Sequence, residues 1–142
     1  NHADAVYIYL KLRQTAPEQA ERVYNWLKQT GGNRSGSGIG AVDWFGNVYP
    51  DQFTRNHPLG NIREQEFGAI WYDENQPLLK QLRNRKPLLK GRCGACKWLE
   101  ICNGNFRARA EAVHNDFWAP DPGCYLTDEE IGITGTTRES AR

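Results

Sequence analysis

The chain has 142 residues, of which 39% are hydrophobic and 25% are charged, a composition that is ordinary for a globular protein. This length suffices for one domain, or for one domain and part of another. The formal net charge of +1 argues against nucleic acid or an anionic membrane as a partner, and no apolar run approaches the ~18 residues of a membrane span.

Two elements are predicted at the N-terminal end. Between Asp4 and Arg13 the apolar residues have helical spacing, although the run YIYL also allows a strand. A second helix is predicted from Pro17, a residue favoured in the first turn of helices, to the glycines that begin at Gly31. Its apolar stripe consists of Ala20, Val23, Tyr24 and Leu27.

Residues 31–40 contain five glycines and two serines, which predicts a flexible joint and a domain boundary. Residues 39–50 then hold two β-rich runs around the turn 45–47, so we expect a hairpin that ends at Pro50. Residues 59–71 are predicted to lead into a short helix, and residues 76–90 form a helical pattern that Pro87 interrupts. Phe67, Ile70 and Trp71 are expected to point inward, as are Leu78, Leu79 and Leu82.

The last predicted helix spans 106–114, with Phe106, Ala110 and Val113 on one face. Pro120 and Pro122 exclude regular structure after it. Residues 132–142 are polar and are expected to be a disordered tail.

Four cysteines, Cys93, Cys96, Cys102 and Cys124, lie within 32 residues in the pattern C-x2-C-x5-C-x21-C. Disulfides are the least favoured interpretation, since two cysteines separated by two residues are more often redox-active or metal-binding. Four thiolates also suit structural zinc, although zinc ribbons usually have two C-x2-C knuckles. A 4Fe–4S cluster tolerates irregular spacing, and the glycines and asparagines around Cys102 would add N–H donors and cap the next helix. Spacing alone places iron–sulfur only slightly ahead of zinc.

The cysteine segment resembles the SPASM and twitch domains of radical SAM enzymes. The resemblance lies in GRCGACKWLEICNGNFR at 91–107, RAEAVHNDFWAPDPGCYLTDEEIG at 109–132 and WFGNVYPDQF at 44–53. It implies an α+β fold: a small domain with a hairpin, short helices and a cysteine-ligated cluster loop, preceded by helical closing elements of a partial (β/α) barrel. The implied division is 1–34 for the end of the radical SAM core, 35–131 for the auxiliary domain and 132–142 for the tail.

Two departures from the family pattern are consistent with each other. Asp51 and Phe106 stand where the SPASM pattern has cysteines, and both missing ligands belong to its first cluster. The four remaining cysteines are the complete set for the second, so the resemblance implies one fully ligated 4Fe–4S cluster. The C-x3-C-x2-C motif of the catalytic cluster is absent, and the sequence begins without Met. We therefore interpret the chain as part of a longer protein and expect it to be inactive alone.

The resemblance is strongest to the radical SAM enzymes of haem d1 biosynthesis, and the segment 105–124 favours that branch. It implies an iron tetrapyrrole substrate whose propionate side chains are modified, with S-adenosylmethionine and a second 4Fe–4S cluster in the missing core. It also implies an electron donor such as ferredoxin or flavodoxin, a cytoplasmic location, and neither nucleic acid nor membrane as partner. Related enzymes of alternative haem synthesis, which decarboxylate side chains or remove acetates, and a zinc-binding interaction module with four cysteine ligands remain alternatives.

Other residues give weaker signals. The basic residues Arg92, Lys97, Arg107 and Arg109 are interpreted as a solvated face that balances the cluster charge, in preference to sites for tetrapyrrole carboxylates. The tryptophans Trp44, Trp71, Trp98 and Trp118 are interpreted as core, not as the lining of a porphyrin pocket. No catalytic residue is assigned, His2, His57 and His114 receive no role, and the substrate-binding residues are unknown.

Overall fold

The computed structural model describes residues 1–134. It contains eight α-helices, one 3₁₀ helix at Lys86–Leu88 and three short strands within that range. The helices are α1 His2–Thr15, α2 Pro17–Thr30, α3 Phe67–Trp71, α4 Pro77–Arg83, α5 Gly91–Ala95, α6 Leu99–Cys102, α7 Arg107–His114 and α8 Asp128–Ile131; the strands are β1 Ala41–Val42, β2 Asn47–Tyr49 and β3 Gly60–Asn61. The predicted α+β class is confirmed. No helix in this range has the length and apolarity needed to cross a membrane.

The chain folds into two compact units. The first consists of residues 1–32 together with the chain from Leu89 onward, and the second consists of Asn33–Leu88. The predicted division into 1–34, 35–131 and 132–142 refers to the end of a radical SAM core, an auxiliary domain and a tail. This division stays a prediction. The predicted disordered tail lies outside the described residues from position 135 on.

The first unit is built on the pair α1 and α2, against which α6 packs. The ambiguous first element is a helix, with the Asn1 side chain accepting from the Ala3 N–H at its start. α2 has the predicted limits, and Gly31 ends it at φ 70° with its N–H donated to the Leu27 carbonyl. The buried core, which holds the unit together, comprises Ala3, Val6, Leu27, Trp98, Ile101, Leu126 and Ile131.

The second unit contains the predicted hairpin, with strands of only two and three residues. β1 pairs antiparallel with β2, and β2 also pairs antiparallel with β3, a strand in a segment predicted as loop. Val48 is fully buried at the centre of the sheet and packs with Ile70, Trp71 and Leu79. Phe67 was expected to point inward, but its side chain is 43% exposed because it stacks on the outer side of Trp71.

The glycine-rich stretch 31–40 is more ordered than its composition predicts. The Arg34 carbonyl accepts hydrogen bonds from three successive N–H groups, those of residues 37–39, and the Gly36 N–H is shared by the Ile39 and Pro50 carbonyls. Buried Arg85 stabilises the same loop by donating hydrogen bonds to Asn33 Oδ1 at 2.8 Å and to the Ser35 carbonyl at 2.5 Å. These hydrogen bonds define the conformation of the loop, and the division between the two compact units falls after Gly32, within the same stretch. That the stretch acts as a flexible joint stays a prediction.

Candidate metal centre

All four cysteines lie in the first unit and line one cavity. Cys93 is on α5 and Cys96 caps its C-terminus, Cys102 is the last residue of α6, and Cys124 precedes α8. The cavity is partly open to solvent. The thiols are free and partly buried. Thus three separate segments bring the predicted ligands to the same place.

The rest of the cavity wall is mainly apolar. α1 contributes Ala3 and Val6, and further side chains come from Leu99, Leu126 and Ile131. These residues belong to the unit's core or adjoin it, so the cavity is continuous with the packing that holds the unit together. A wall of low polarity limits the access of solvent to the site. It therefore suits a charged group that is held by thiolates.

Backbone amides point at two of the sulfurs. The Trp98 N–H donates to Cys96 Sγ at 3.4 Å, and the Asp121 N–H donates to Cys93 Sγ at 3.4 Å. Such bonds are among the factors that tune iron–sulfur clusters.

The turn after Cys102 is built from left-handed residues. Asn103, Gly104 and Asn105 have φ values of 53°, 78° and 57°. Asn103 caps α6, and fully buried Asn105 accepts from the His2 N–H at 3.1 Å. The prediction that this loop caps the following helix is wrong, since the N-cap residue of α7 is Phe106 and no side chain caps the helix. Instead, Asn103 ends α6, and the hydrogen bond between Asn105 and the His2 N–H connects the loop after Cys102 to the start of α1.

A buried carboxylate connects the loops of two cysteines. Asp121 has no exposed side-chain surface and accepts two hydrogen bonds from Arg109, at 3.0 and 2.8 Å. It also accepts from the N–H groups of Phe106 and Gly123, and its own carbonyl accepts from the Cys124 N–H at 3.1 Å. Asp121 therefore positions Cys124 through its backbone carbonyl while its N–H contacts Cys93.

The thiols influence each other's ionisation. Burial, together with the charges of the other three cysteines, raises the pKa of Cys102 to about 12. Burial also raises the pKa of Cys96, with contributions from Cys124 and Cys93. Without a metal these two thiols stay protonated at neutral pH, so metal binding must release protons.

The basic residues of this region have partners within the chain. Arg92 donates to Asp128 at 2.7 Å, Arg109 pairs with Asp121, and Lys97 lies over the Trp98 ring at 4.9 Å. Arg107 is 2% exposed, so the interpretation of a solvated face is wrong for it. The sequence did not distinguish Arg107, because its neighbours on the helix are also charged or small.

The two positions that lack the family's cysteines have other roles. Asp51 is buried, and its Oδ1 accepts from the Phe53 N–H, the Thr54 N–H and the Thr54 hydroxyl at 2.7 to 2.9 Å. The Phe106 ring lies between His2, at 5.6 Å, and the Arg109 guanidinium, at 4.8 Å. Both side chains fill structural positions.

Of the four tryptophans that were interpreted as core, two are core residues as predicted. Trp71 and Trp98 are buried, whereas Trp118 is partly buried and Trp44 is 76% exposed at the hairpin turn. Val113, predicted on the buried face of its helix, is 63% exposed, and Arg107 takes part in burying that side. The interpretation as core is thus wrong for Trp44.

Zinc sets a strict geometric requirement, since all four sulfurs must lie about 2.3 Å from one point. In the described range, 1–134, no three histidine, cysteine or carboxylate side chains are placed to hold a single metal ion. The four cysteines have in common that they line one cavity.

Residues 35–97 match the SPASM family, described as an iron–sulfur cluster-binding domain. The match includes Cys93 and Cys96 and ends before the other two cysteines. The predicted resemblance to SPASM domains is therefore confirmed for residues 35–97.

The chain is similar to three haem-biosynthesis enzymes. It is 53% identical to the Fe-coproporphyrin III synthase of Methanosarcina barkeri and 40% identical to the pre-heme d1 synthase of Dinoroseobacter shibae, each over 93% of the chain. It is also 33% identical to the AdoMet-dependent heme synthase of Methanosarcina barkeri over 84% of the chain. The chain spans about a third of each relative, with 34%, 33% and 34% of their lengths covered. No solved structure matches it.

Proposed function

We propose that Cys93, Cys96, Cys102 and Cys124 together ligate one auxiliary 4Fe–4S cluster. The observation that carries this proposal is the shared cavity, which all four residues line. The donor set fits the group, because an iron–sulfur cube takes one thiolate on each of four irons. The match to an iron–sulfur cluster-binding family supports the same assignment.

When bound, the cluster would serve electron transfer or structure and not Lewis-acid catalysis, since four protein thiolates leave no iron free for substrate. The chain's own residues have positioning roles. The amides of Trp98 and Asp121 donate to the ligand sulfurs, and the Asp121 carboxylate fixes the loop that carries Cys124. The side chains of Leu126 and Ile131 limit the access of water.

Metal and sulfide analysis tests this assignment. The full chain, purified and reconstituted without oxygen, should bind about four irons and four sulfides and show a brown colour that a reductant bleaches. Each single cysteine-to-serine variant should lose most of this iron. Ala95→Ser, at an exposed position between Cys93 and Cys96, is the matched control and should retain it. One zinc ion without sulfide would contradict the cluster and favour the zinc-binding interaction module.

We further propose that the whole protein is a radical SAM enzyme that modifies the side chains of an iron tetrapyrrole. By resemblance, S-adenosylmethionine and a second 4Fe–4S cluster belong to a core that this chain lacks, and a ferredoxin or flavodoxin donates electrons in the cytoplasm. The relatives named for porphyrin, haem d1 and haem synthesis support the tetrapyrrole class.

Two reactions compete within this class. The segment 105–124 favours the haem d1 branch by resemblance, whereas the higher overall identity, 53% against 40%, favours the branch of Fe-coproporphyrin III synthase. Mass spectrometry of the product formed by the complete enzyme from didecarboxysiroheme separates them. Loss of acetate groups with retention of the propionates would favour alternative haem synthesis, and loss of propionates would favour the haem d1 branch.

A further inference from the structure

Arg107 is a buried cation that contacts the wall of the cavity, because it donates to the carbonyl of Gly104, which lines the cavity. It is the first residue of α7 and is 2% exposed. Its Nη1 donates to the carbonyls of Phe117, at 3.2 Å, and Ala119, at 2.7 Å, and its Nη2 donates to the carbonyl of Gly104. These acceptors are neutral, so they hold the guanidinium in place without cancelling its charge.

One donor of this guanidinium is left over. The buried Nε of Arg107 has no hydrogen-bond acceptor in the part of the chain that the structure describes. Burial lowers the pKa of Arg107, while the charges of Cys93, Asp121 and Cys102 and a hydrogen bond with Cys93 raise it. Arginine keeps its proton in proteins even when burial disfavours the charge. Two of the proposed ligands are therefore within electrostatic range of a permanent positive charge.

The other arginines of this region, Arg92 and Arg109, do not place a buried positive charge without a carboxylate partner near the thiolates. Arg92 lines the cavity, but its side chain is 38% exposed and is paired with Asp128 at 2.7 Å. Arg109 is paired with the buried Asp121. In each pair the positive charge is offset by a carboxylate. Arg107 is thus the cation that acts on the thiolates from a position shielded from solvent, where charges interact more strongly than in water.

We propose that Arg107 sets the reduction potential of the auxiliary cluster by stabilising its reduced, more negative state. This inference rests on the cluster assignment made above. Reduction adds one electron to the cluster and no proton, so a fixed positive charge nearby makes it more favourable. Net charge and hydrogen bonds around the sulfurs are known determinants of such potentials. Arg107 is a positioning and tuning residue in this role, since it does not line the cavity.

The test is a redox titration of the reconstituted full chain, followed by electron paramagnetic resonance. Arg107→Gln should lower the reduced-to-oxidised ratio at a fixed potential at least tenfold, which corresponds to a shift of about 59 mV toward negative values. Arg107→Lys keeps the charge and should shift the ratio less than Arg107→Gln.

Arg85→Gln is the matched control. Arg85 is 1% exposed and donates to the carbonyls of Leu82 and Ser35, but it belongs to the second unit and does not line the cavity. The Arg85→Gln variant should be destabilised as Arg107→Gln is, but its cluster should keep the wild-type reduction potential. An unchanged potential in cluster-loaded Arg107→Gln, or an equal shift in Arg85→Gln, overturns the proposal.

Failure to load the cluster is also informative. If Arg107→Gln binds no iron while Arg107→Lys and Arg85→Gln do, the charge is required for the cluster and the electrostatic role stands. If Arg107→Lys fails as well, the hydrogen-bond geometry is what matters, and the proposal is wrong. Absence of iron from the wild-type chain would instead refute the cluster assignment itself.

Discussion

Gly32 lies against the backbone of a proposed ligand. Its φ is +68°, and a Cβ at this position would be 2.4 Å from the carbonyl carbon of Cys102 and 2.5 Å from its oxygen. Contacts under 3.0 Å force one of the two atoms to move. The end of α2 and the end of α6 can therefore approach this closely because residue 32 has no side chain.

We expect Gly32→Ala to destabilise the first unit by at least ~2 kcal/mol, since strain at positive φ adds to the clash. The shift of Cys102 should also reduce the iron bound per chain. Chemical denaturation and iron analysis check both effects. Gly68→Ala is the matched control: an added Cβ there meets nothing within 4 Å, and a helical alanine should raise stability by up to ~1 kcal/mol. Equal effects of the two substitutions would contradict this account.

The sequence identified the four cysteines because their spacing is itself the signal. It gave no comparable sign for Arg107, Asp121 or Gly32. Arg107 lies in the run RARAE, where alternating charge and alanine predict an exposed helix, and its burial follows from carbonyls that come from outside the helix. Asp121 stands between two prolines in a segment without periodicity. Such roles arise from tertiary contacts, which a single sequence does not encode locally.

Elements with local signals were predicted well. α2 has an apolar stripe, proline in its first turn and a glycine cap, and its limits agree with the prediction. α5, α6 and α8 have only four or five residues, too few for a period to be recognised. For α8 the pattern Thr-x-x-Glu was a usable signal, because Thr127 and Glu130 form a capping box. β3 has two residues and is defined by its pairing with β2.

The hairpin turn depends on Asp43. Its carboxylate accepts from the N–H groups of Phe45 and Asn47, the Asn47 amide and the Tyr49 hydroxyl, at 2.9 to 3.1 Å. Partial desolvation raises the pKa of Asp43, but these hydrogen bonds outweigh it and hold the pKa below its usual value. The ionised form is therefore the one that stabilises the turn.

Asp43→Asn should destabilise the second unit at pH 7, where the carboxylate is ionised. Because the folded pKa is depressed, the stabilisation is complete above the unfolded pKa of about 4 and is lost as the pH falls through the folded value. The difference in melting temperature between wild type and variant should thus shrink from pH 7 toward pH 3. Asp73→Asn, an exposed loop position, is the control. A difference that is constant over this range would contradict the assignment.

The whole molecule consists of two units with different dependence on the proposed cluster. The cavity belongs to the first unit, whereas the second has its own core around Val48 and Leu79. A ligand that binds only the folded state stabilises the part that binds it.

Cluster loading should therefore slow amide hydrogen exchange in α5, in α6 and in residues 121–126. Exchange in β1 and β2 should change little. Hydrogen exchange followed by mass spectrometry, on the apo and reconstituted full chain, measures both. Equal protection of the two units would contradict the assignment of the cluster to the first.

The first unit is discontinuous, since residues 33–88 separate its two parts. The Asn1 side chain donates to the Gly123 carbonyl, 122 positions away, at 2.9 Å. Contacts between such distant segments form slowly, because a long loop must close before they contribute. During synthesis on the ribosome, the second unit is complete about 36 residues before Cys124 is added. Assembly of the proposed metal site would thus be a late event, and the thiols of Cys93, Cys96 and Cys102 would be exposed to oxidants until it occurred.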